Sequence, residues 1–406
     1  MPKRNLQILI DNQKTVYFPG DTITGRVQFD VDKPLKVRSI VLKFVGWANV
    51  HWSERRKSGN RSYSVAYHNR EDYFNFNNIL LSKDTSGSDE TVLSPNSYTY
   101  PFSVTLPYNI PSSYEAYIGQ VRYIFSVNVD RPWAFNINAK HLITVMDPLD
   151  LNTIPNLESR AEKTDQKVLC CWCCASDPIC VHVRLERQGY VPGEEIPFWA
   201  EINNQSNRTM SCTQARFLMS VSYHATAKTR IVQNHLTQIK HGEIEGGGTD
   251  AYVNEKLHIP VVPPSFLKNC RIIDIRYYVV IIVDPSGLGF GLHVPVEVVI
   301  GSIPLRSVAQ QHGLALPHRQ APIAPIANLP PPPPPYLGAP AGLYNDTAYP
   351  PALPQTTFAQ SALGAHSTAE AGDTEHTYGN TNFAPVYTYY NWSNPRNNNT
   401  QFEIEG

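Results

Sequence analysis

Val16-Tyr17-Phe18-Pro19-Gly20-Asp21-Thr22-Ile23 returns later in the chain, altered but recognisable, as Gly189-Tyr190-Val191-Pro192-Gly193-Glu194-Glu195-Ile196. In each copy an apolar β-prone run meets Pro-Gly, an acid follows, and a second β-prone run begins. Proline presets φ for the second position of a turn, and glycine accepts the positive φ that a type II turn needs at the third. Both copies therefore read as strand, tight turn, strand. A second echo pairs Arg122-Tyr123-Ile124-Phe125-Ser126-Val127-Asn128-Val129-Asp130 with Arg276-Tyr277-Tyr278-Val279-Val280-Ile281-Ile282-Val283-Asp284. A third pairs two proline-rich turns, residues 107–114 against 260–266. Three echoes in one order predict two domains of one topology, produced by duplication.

The runs between the echoes are strand-like. Gly25-Arg26-Val27-Gln28-Phe29-Asp30-Val31 alternates with period two, and so does Val181-His182-Val183-Arg184-Leu185. Such alternation marks half-buried strands. No amphipathic pattern long enough for a substantial helix appears. The fold class expected is all-β, with two tandem immunoglobulin-like β-sandwiches. Residues 1–151 form the first and 167–305 the second, with a polar linker over 152–166. From Arg306 onward periodicity fails, and Ala, Pro, Gln, Asn, Thr and Tyr dominate. Residues 306–406 are therefore expected to be a disordered tail.

The 406 residues carry a formal net charge of −1, so charge predicts no nucleic-acid partner. No apolar run approaches the length needed to span a bilayer, and the start lacks the apolar core of a signal peptide. Cysteine usage points the same way. The 7 cysteines include Cys170-Cys171-Trp172-Cys173-Cys174, a poor disulfide framework but ordinary in a reducing compartment. Zinc would need a second ligand pair at suitable spacing, whereas Cys212 and Cys270 are single and distant. No metal or cofactor is expected. The cluster reads as a partly buried first strand of the second domain, with lipidation as the functional alternative.

Two stretches carry binding chemistry. Pro330 to Pro335 run into Tyr336, so Pro333-Pro334-Pro335-Tyr336 is a Pro-Pro-x-Tyr motif. Consecutive prolines hold a polyproline II helix at little entropic cost, which suits the aromatic groove of a WW domain, with tyrosine in the neighbouring pocket. Phosphate on Tyr336 would put charge and bulk into that pocket. Ala384-Pro385-Val386-Tyr387 lacks the first proline, so Pro385 and Tyr387 form a weaker, degenerate version. Pro350-Pro351-Ala352-Leu353 lacks the tyrosine. The second stretch, from Lys36 to Arg70, is basic, with Glu54 its only acid. Its densest part is Arg55, Arg56, Lys57 and Arg61. It reads either as a contact for anionic lipid or acidic partners, or as a solvated hairpin. Gly287-Leu288-Gly289-Phe290-Gly291 lacks the Lys-Ser or Lys-Thr of a phosphate loop and reads as a hairpin turn. No hydrolase, zincin or kinase signature occurs, and an enzyme is not expected.

From Asn5 to Leu305 these residues resemble the arrestin superfamily, specifically its α-arrestin branch of arrestin-domain-containing proteins. The pegs are Val16 to Asp21, Gly46-Trp47-Ala48, Tyr100-Pro101-Phe102, Gly189 to Glu194 and Ile300-Gly301-Ser302-Ile303-Pro304-Leu305. The resemblance implies arrestin N-terminal and C-terminal domains that engage the cytoplasmic parts of membrane-protein cargo. It also implies a tail that recruits HECT-type ubiquitin ligases through their WW domains, so that cargo is ubiquitinated and sorted. The implied location is cytoplasmic, with recruitment to plasma membrane and endosomes. A trafficking scaffold independent of any ligase is the alternative. One subgroup of the family binds thioredoxin through a mixed disulfide; its cysteine would fall near residues 246–250, where Thr249 is the nearest counterpart and no thiol exists.

Overall fold

The duplicated turns are built alike. At each, a backbone N–H of the acid closes the turn, Asp21 onto Phe18 at 3.0 Å and Glu194 onto Val191 at 3.1 Å. Gly20 and Gly193 take φ of +91° and +96°, the left-handed region that the turn type demands. The acid then folds back as an acceptor: Asp21 receives the Phe18 N–H and Glu194 the Val191 N–H. Each acid in the repeated motif is thus a turn cap.

The computed structural model describes residues 5–11, 13–82, 90–171, 174–175, 177–287, 290–314, 316, 356–369, 373, 376–379 and 382–392. The first sandwich contains β1 (Asn5–Ile10), β2 (Thr22–Val31), β3 (Leu35–Val37), β4 (Ser39–Ser58) and β5 (Arg61–Leu81). It continues with β6 (Thr91–Leu93), β7 (Asn96–Thr105), β8 (Tyr114–Glu115), β9 (Gly119–Asp130) and β10 (Ile137–Ile143). One sheet has the order β1-β2-β7 and faces the other, β10-β9-β4-β5. The second domain opens with β11 (Ala161–Lys167), a short hairpin of β12 (Cys170–Cys171) and β13 (Cys174–Ala175), and β14 (Ile179–Leu185). Then come β15 (Gly189–Tyr190), β16 (Glu195–Asn204), β17 (Met210–His224), β18 (Thr229–Lys240) and β19 (Thr249–His258). The domain ends with β20 (Ile273–Pro285) and β21 (Leu292–Ile300). Its sheets run β11-β14-β16-β19 and β15-β21-β20-β17-β18. Two tandem all-β sandwiches are the fold, as the echoes imply.

The second and third echoes prove to be one interaction. The Tyr123 hydroxyl donates to the Pro111 carbonyl at 2.6 Å, and the Tyr277 hydroxyl to the Pro263 carbonyl at 2.7 Å. Each duplicated tyrosine therefore ties the central strand of its sheet to the duplicated proline turn. Both rings are fully buried, as are Val27, Phe29, Phe44 and Phe125 around the first. Phe44 and Phe125 stack at 3.9 Å between centroids.

Two boundaries differ from those expected. The linker is shorter, because Ala161–Lys167 pairs along its whole length with β14. It looked like linker because it is an edge strand with mostly exposed side chains, so its polarity carries no burial signal. The tail, expected to lack structure from Arg306, contains ordered pieces. Helix α1 (Arg306–Gln311) buries Val308 and Ala309 against Leu151, Leu157, Leu305 and Tyr390. Farther on lie β22 (Thr356–Gln360), β23 (His366–Ser367), β24 (Thr377–Gly379), β25 (Asn382–Phe383) and β26 (Val386–Tyr390). β24 joins β10 in parallel, extending the first domain's sheet.

If the duplicated tyrosines do the same work, Tyr123→Phe and Tyr277→Phe should each lose about 1–3 kcal/mol, the cost of a buried carbonyl left without its donor. Urea unfolding of the two variants would measure this. A neutral result for either would show that its hydroxyl does not hold the proline turn.

Candidate docking surfaces and the interdomain seam

The long β4–β5 hairpin carries the densest basic residues at its tip. Pairing runs to Ser58 opposite Arg61, and Gly59, with φ +58°, makes the turn in open space. Arg55, Arg56, Lys57 and Arg61 are all exposed. Alternation puts Arg55 and Lys57 on one face, across the ladder from Ser64 and Ser62, with Arg56 on the other. Arg55 donates twice to the Ser62 hydroxyl, and Arg56 reaches the Tyr67 hydroxyl at 2.6 Å. Among the described residues none of the four is ion-paired; the nearby Glu54 carboxylate is taken by Lys228 at 2.6 Å. That hydrogen bond holds Glu54 below the usual carboxylate range. The rest of the basic stretch is dispersed. Lys36 pairs with Glu90, Arg38 with Asp130 and Arg70 with Asp72.

The Glu54–Lys228 pair belongs to the seam between the domains. Tyr114 and Tyr223 meet there hydroxyl to hydroxyl at 2.7 Å, both buried. Burial raises both phenols, Tyr223 to about 12. Gly119 lies so close to the Tyr223 ring that a Cβ would stand 2.3 Å from it. Asn69 donates to the His224 carbonyl, Thr226 to the His68 carbonyl, and Arg271 pairs with Glu71. Leu149 donates its N–H to the Ser302 hydroxyl at 2.8 Å. The chain that links the domains is itself part of the seam, because Asn152 bonds the Pro304 carbonyl and accepts from the Arg306 N–H.

Close by, Arg122 and Glu115 form a fully buried, two-bonded ion pair at 2.6 and 2.9 Å. Burial raises the Glu115 carboxyl while Arg122 opposes the shift. A third Arg122 hydrogen bond goes to the Ser367 carbonyl of the tail at 2.7 Å.

The tail then crosses the seam. β26 pairs antiparallel with β22 and lies over both domains. The Tyr387 hydroxyl donates to the Ser113 carbonyl at 2.9 Å, in the first domain. The Tyr390 hydroxyl donates to the Ser302 carbonyl at 2.8 Å, and its N–H to the Pro192 carbonyl at 3.0 Å, in the second. Pro385, Tyr387 and Tyr390 are buried. The degenerate motif, expected to bind more weakly than the first, is therefore packed on the body, with Val386 and Tyr387 in β26 and Pro385 just before it. Pro333, Pro334 and Tyr336 lie outside the described residues.

The cysteine cluster is not the first strand of the second domain. Cys171 pairs with Cys174 in a separate two-stranded hairpin, and β11 precedes it. Among the described residues no group of His, Cys, Asp and Glu could hold a metal. Thr249 opens β19, next to Asp250, which binds the Thr213 hydroxyl and His241. The glycine-rich segment joins β20 to β21, with Gly287 at φ +80°. The tail's aromatic anchors Tyr387 and Tyr390 lie in a run of β-branched and aromatic residues, Val386-Tyr387-Thr388-Tyr389-Tyr390, whose strand propensity is the one signal of their role in the sequence.

Two domain families match the chain: Arrestin (or S-antigen), N-terminal domain, over residues 6–152, and Arrestin (or S-antigen), C-terminal domain, over residues 175–305. The Caenorhabditis elegans arrestin domain-containing protein 17 is 33% identical over 312 residues, covering 73% of this chain and 70% of that protein. Human arrestin domain-containing protein 4 is 29% identical over 298 residues, covering 72% and 70%. Rat thioredoxin-interacting protein is 24% identical over 288 residues, covering 70% of each. With both arrestin domains in order and relatives of this kind, the chain belongs to the α-arrestin family of arrestin-domain-containing proteins.

Proposed function

We propose that this chain is an adaptor that links membrane-protein cargo to WW-domain HECT-type ubiquitin ligases, promoting ubiquitination, endocytosis and sorting. The observation that carries the reading is the union of a paired arrestin body with the Pro333-Pro334-Pro335-Tyr336 motif. The body selects the client, and the motif raises the ligase's local concentration near the client's lysines. The role needs binding alone, without catalysis or a cofactor. Its site of action is the cytoplasm, with recruitment to plasma membrane and endosomes; no described helix is long and apolar enough to cross a membrane.

Pro333, Pro334 and Tyr336 fall between α1 and β22, which are both anchored on the body. The basic hairpin tip supplies the cargo-side contact, offering Arg55, Arg56, Lys57 and Arg61 to acidic cytoplasmic segments or anionic headgroups.

Calorimetry of the full chain with an isolated WW domain tests the ligase arm. Binding in the micromolar range is expected, about −8 kcal/mol, and Tyr336→Ala should abolish most of it. Unchanged binding in the variant would leave a trafficking scaffold as the working model. For the hairpin, each basic side chain at an anionic surface is worth about 1 kcal/mol. Neutralising Arg55 and Lys57 to Gln should therefore weaken binding to anionic vesicles about thirtyfold. No change would remove lipid as the partner of the tip.

A further inference from the structure

The degenerate motif has two incompatible uses. A WW domain grips a proline-tyrosine peptide as an open polyproline II segment, with proline and tyrosine side chains both free to enter its groove. Here neither is free. Pro385 is buried, and its carbonyl accepts the Ser361 N–H at 2.9 Å. Val386 lies opposite Gln360 and Tyr387 opposite Ala359 in the β22–β26 ladder, so the backbone is extended and paired. The Val386 N–H also reaches the Thr144 hydroxyl at 3.4 Å. The Tyr387 ring is fully buried in the seam, with its hydroxyl on Ser113.

The same strand spans both domains. Tyr387 and the Thr388 hydroxyl, which meets the Met146 sulfur at 3.3 Å, hold the first domain. Tyr390 holds the second through Ser302 and Pro192, and the Ala362 N–H adds a bond to the Val261 carbonyl at 2.7 Å. Gly193 makes the fit possible. A Cβ there would fall on the Tyr390 carbonyl oxygen, so the repeated Pro-Gly turn also forms part of the strand's bed.

We propose that Ala384-Pro385-Val386-Tyr387 is a clasp between the two domains that becomes a ligase-docking motif only when the strand lifts from the seam. The proposal rests on the tail-recruitment reading above and adds regulation to it. Apparent affinity for a WW domain falls by the fraction of time the strand is lifted. Linkage makes the effect reciprocal: a ligase holding the lifted strand loosens the tie between the domains.

The test places Tyr336→Ala in every full-length chain, so that the other motif is silent, and titrates each with an isolated WW domain. A synthetic peptide of Asn382 to Trp392 serves as the unmasked reference. The peptide should bind measurably, and the Tyr336→Ala chain at least about tenfold more weakly. Adding Tyr390→Ala, which removes an anchor outside the motif, should restore binding towards the peptide's value; adding Tyr387→Ala instead should abolish it. Equal binding by the peptide and the Tyr336→Ala chain would overturn the proposal, and so would a peptide that does not bind at all. The comparison of peptide with Tyr336→Ala chain decides the matter even if Tyr390→Ala fails to fold. Failure of the Pro333–Tyr336 arm is read separately, from the unmodified chain against Tyr336→Ala.

Discussion

Two sandwiches joined by a short linker need something to hold their relative position, and here a tail strand that bonds to both of them supplies part of that hold. The seam also holds paired tyrosine hydroxyls, the partly exposed Lys228–Glu54 and Arg271–Glu71 ion pairs, side chains on backbone carbonyls, and apolar packing in a core cluster that draws on both domains. Exposed ion pairs contribute little individually. By contrast, Val386–Tyr390 inserts two aromatic rings whose hydroxyls end on carbonyls of different domains. Buried aromatic area and satisfied polar tips together make such residues effective anchors. The turn that starts the second domain, the chain between the domains and the end of the second domain all meet at this strand.

Duplication explains why so much of the body was legible. Pro19-Gly20-Asp21 and Pro192-Gly193-Glu194 announce the same turn because only glycine accepts its third position without strain, and the acid caps it in both. Tyr123 and Tyr277 echo each other because each must satisfy a carbonyl in the proline turn below it. These signals are local and chemical, so they survive without knowledge of the partner strand. The edge strand Ala161–Lys167 gave no such signal. Its side chains face solvent, and its existence depends on the free edge of Ile179–Leu185.

The tail was hardest to read for a related reason. Tyr, Thr, Asn and Pro cannot bury enough surface among themselves to fold alone. The surface that orders them belongs to residues far away in sequence, such as Ser113, Thr144, Pro192 and Ser302. Composition thus reported the segment's inability to fold alone and missed its ability to dock. The same blindness concealed the double nature of Pro385 and Tyr387, which look like a docking motif in sequence and serve as a clasp in the fold. The basic tip was legible as a hairpin, yet only the structure separates Arg55, Arg56, Lys57 and Arg61 from the neutralised Lys36, Arg38 and Arg70. The buried Arg122–Glu115 pair, with a third bond to Ser367, was invisible because nothing in the local sequence distinguishes it from a surface pair.

The central claim is that the tail strand is a structural member of the two-domain body. Hydrogen exchange of the intact chain, resolved at individual amides, tests it most directly. The Tyr390 N–H on Pro192 and the Ala362 N–H on Val261 should exchange as slowly as hydrogen-bonded amides of the body such as the Met146 N–H on Tyr17. Exchange of both tail amides at the rate of an unstructured peptide, with the Met146 amide still protected, would contradict the account.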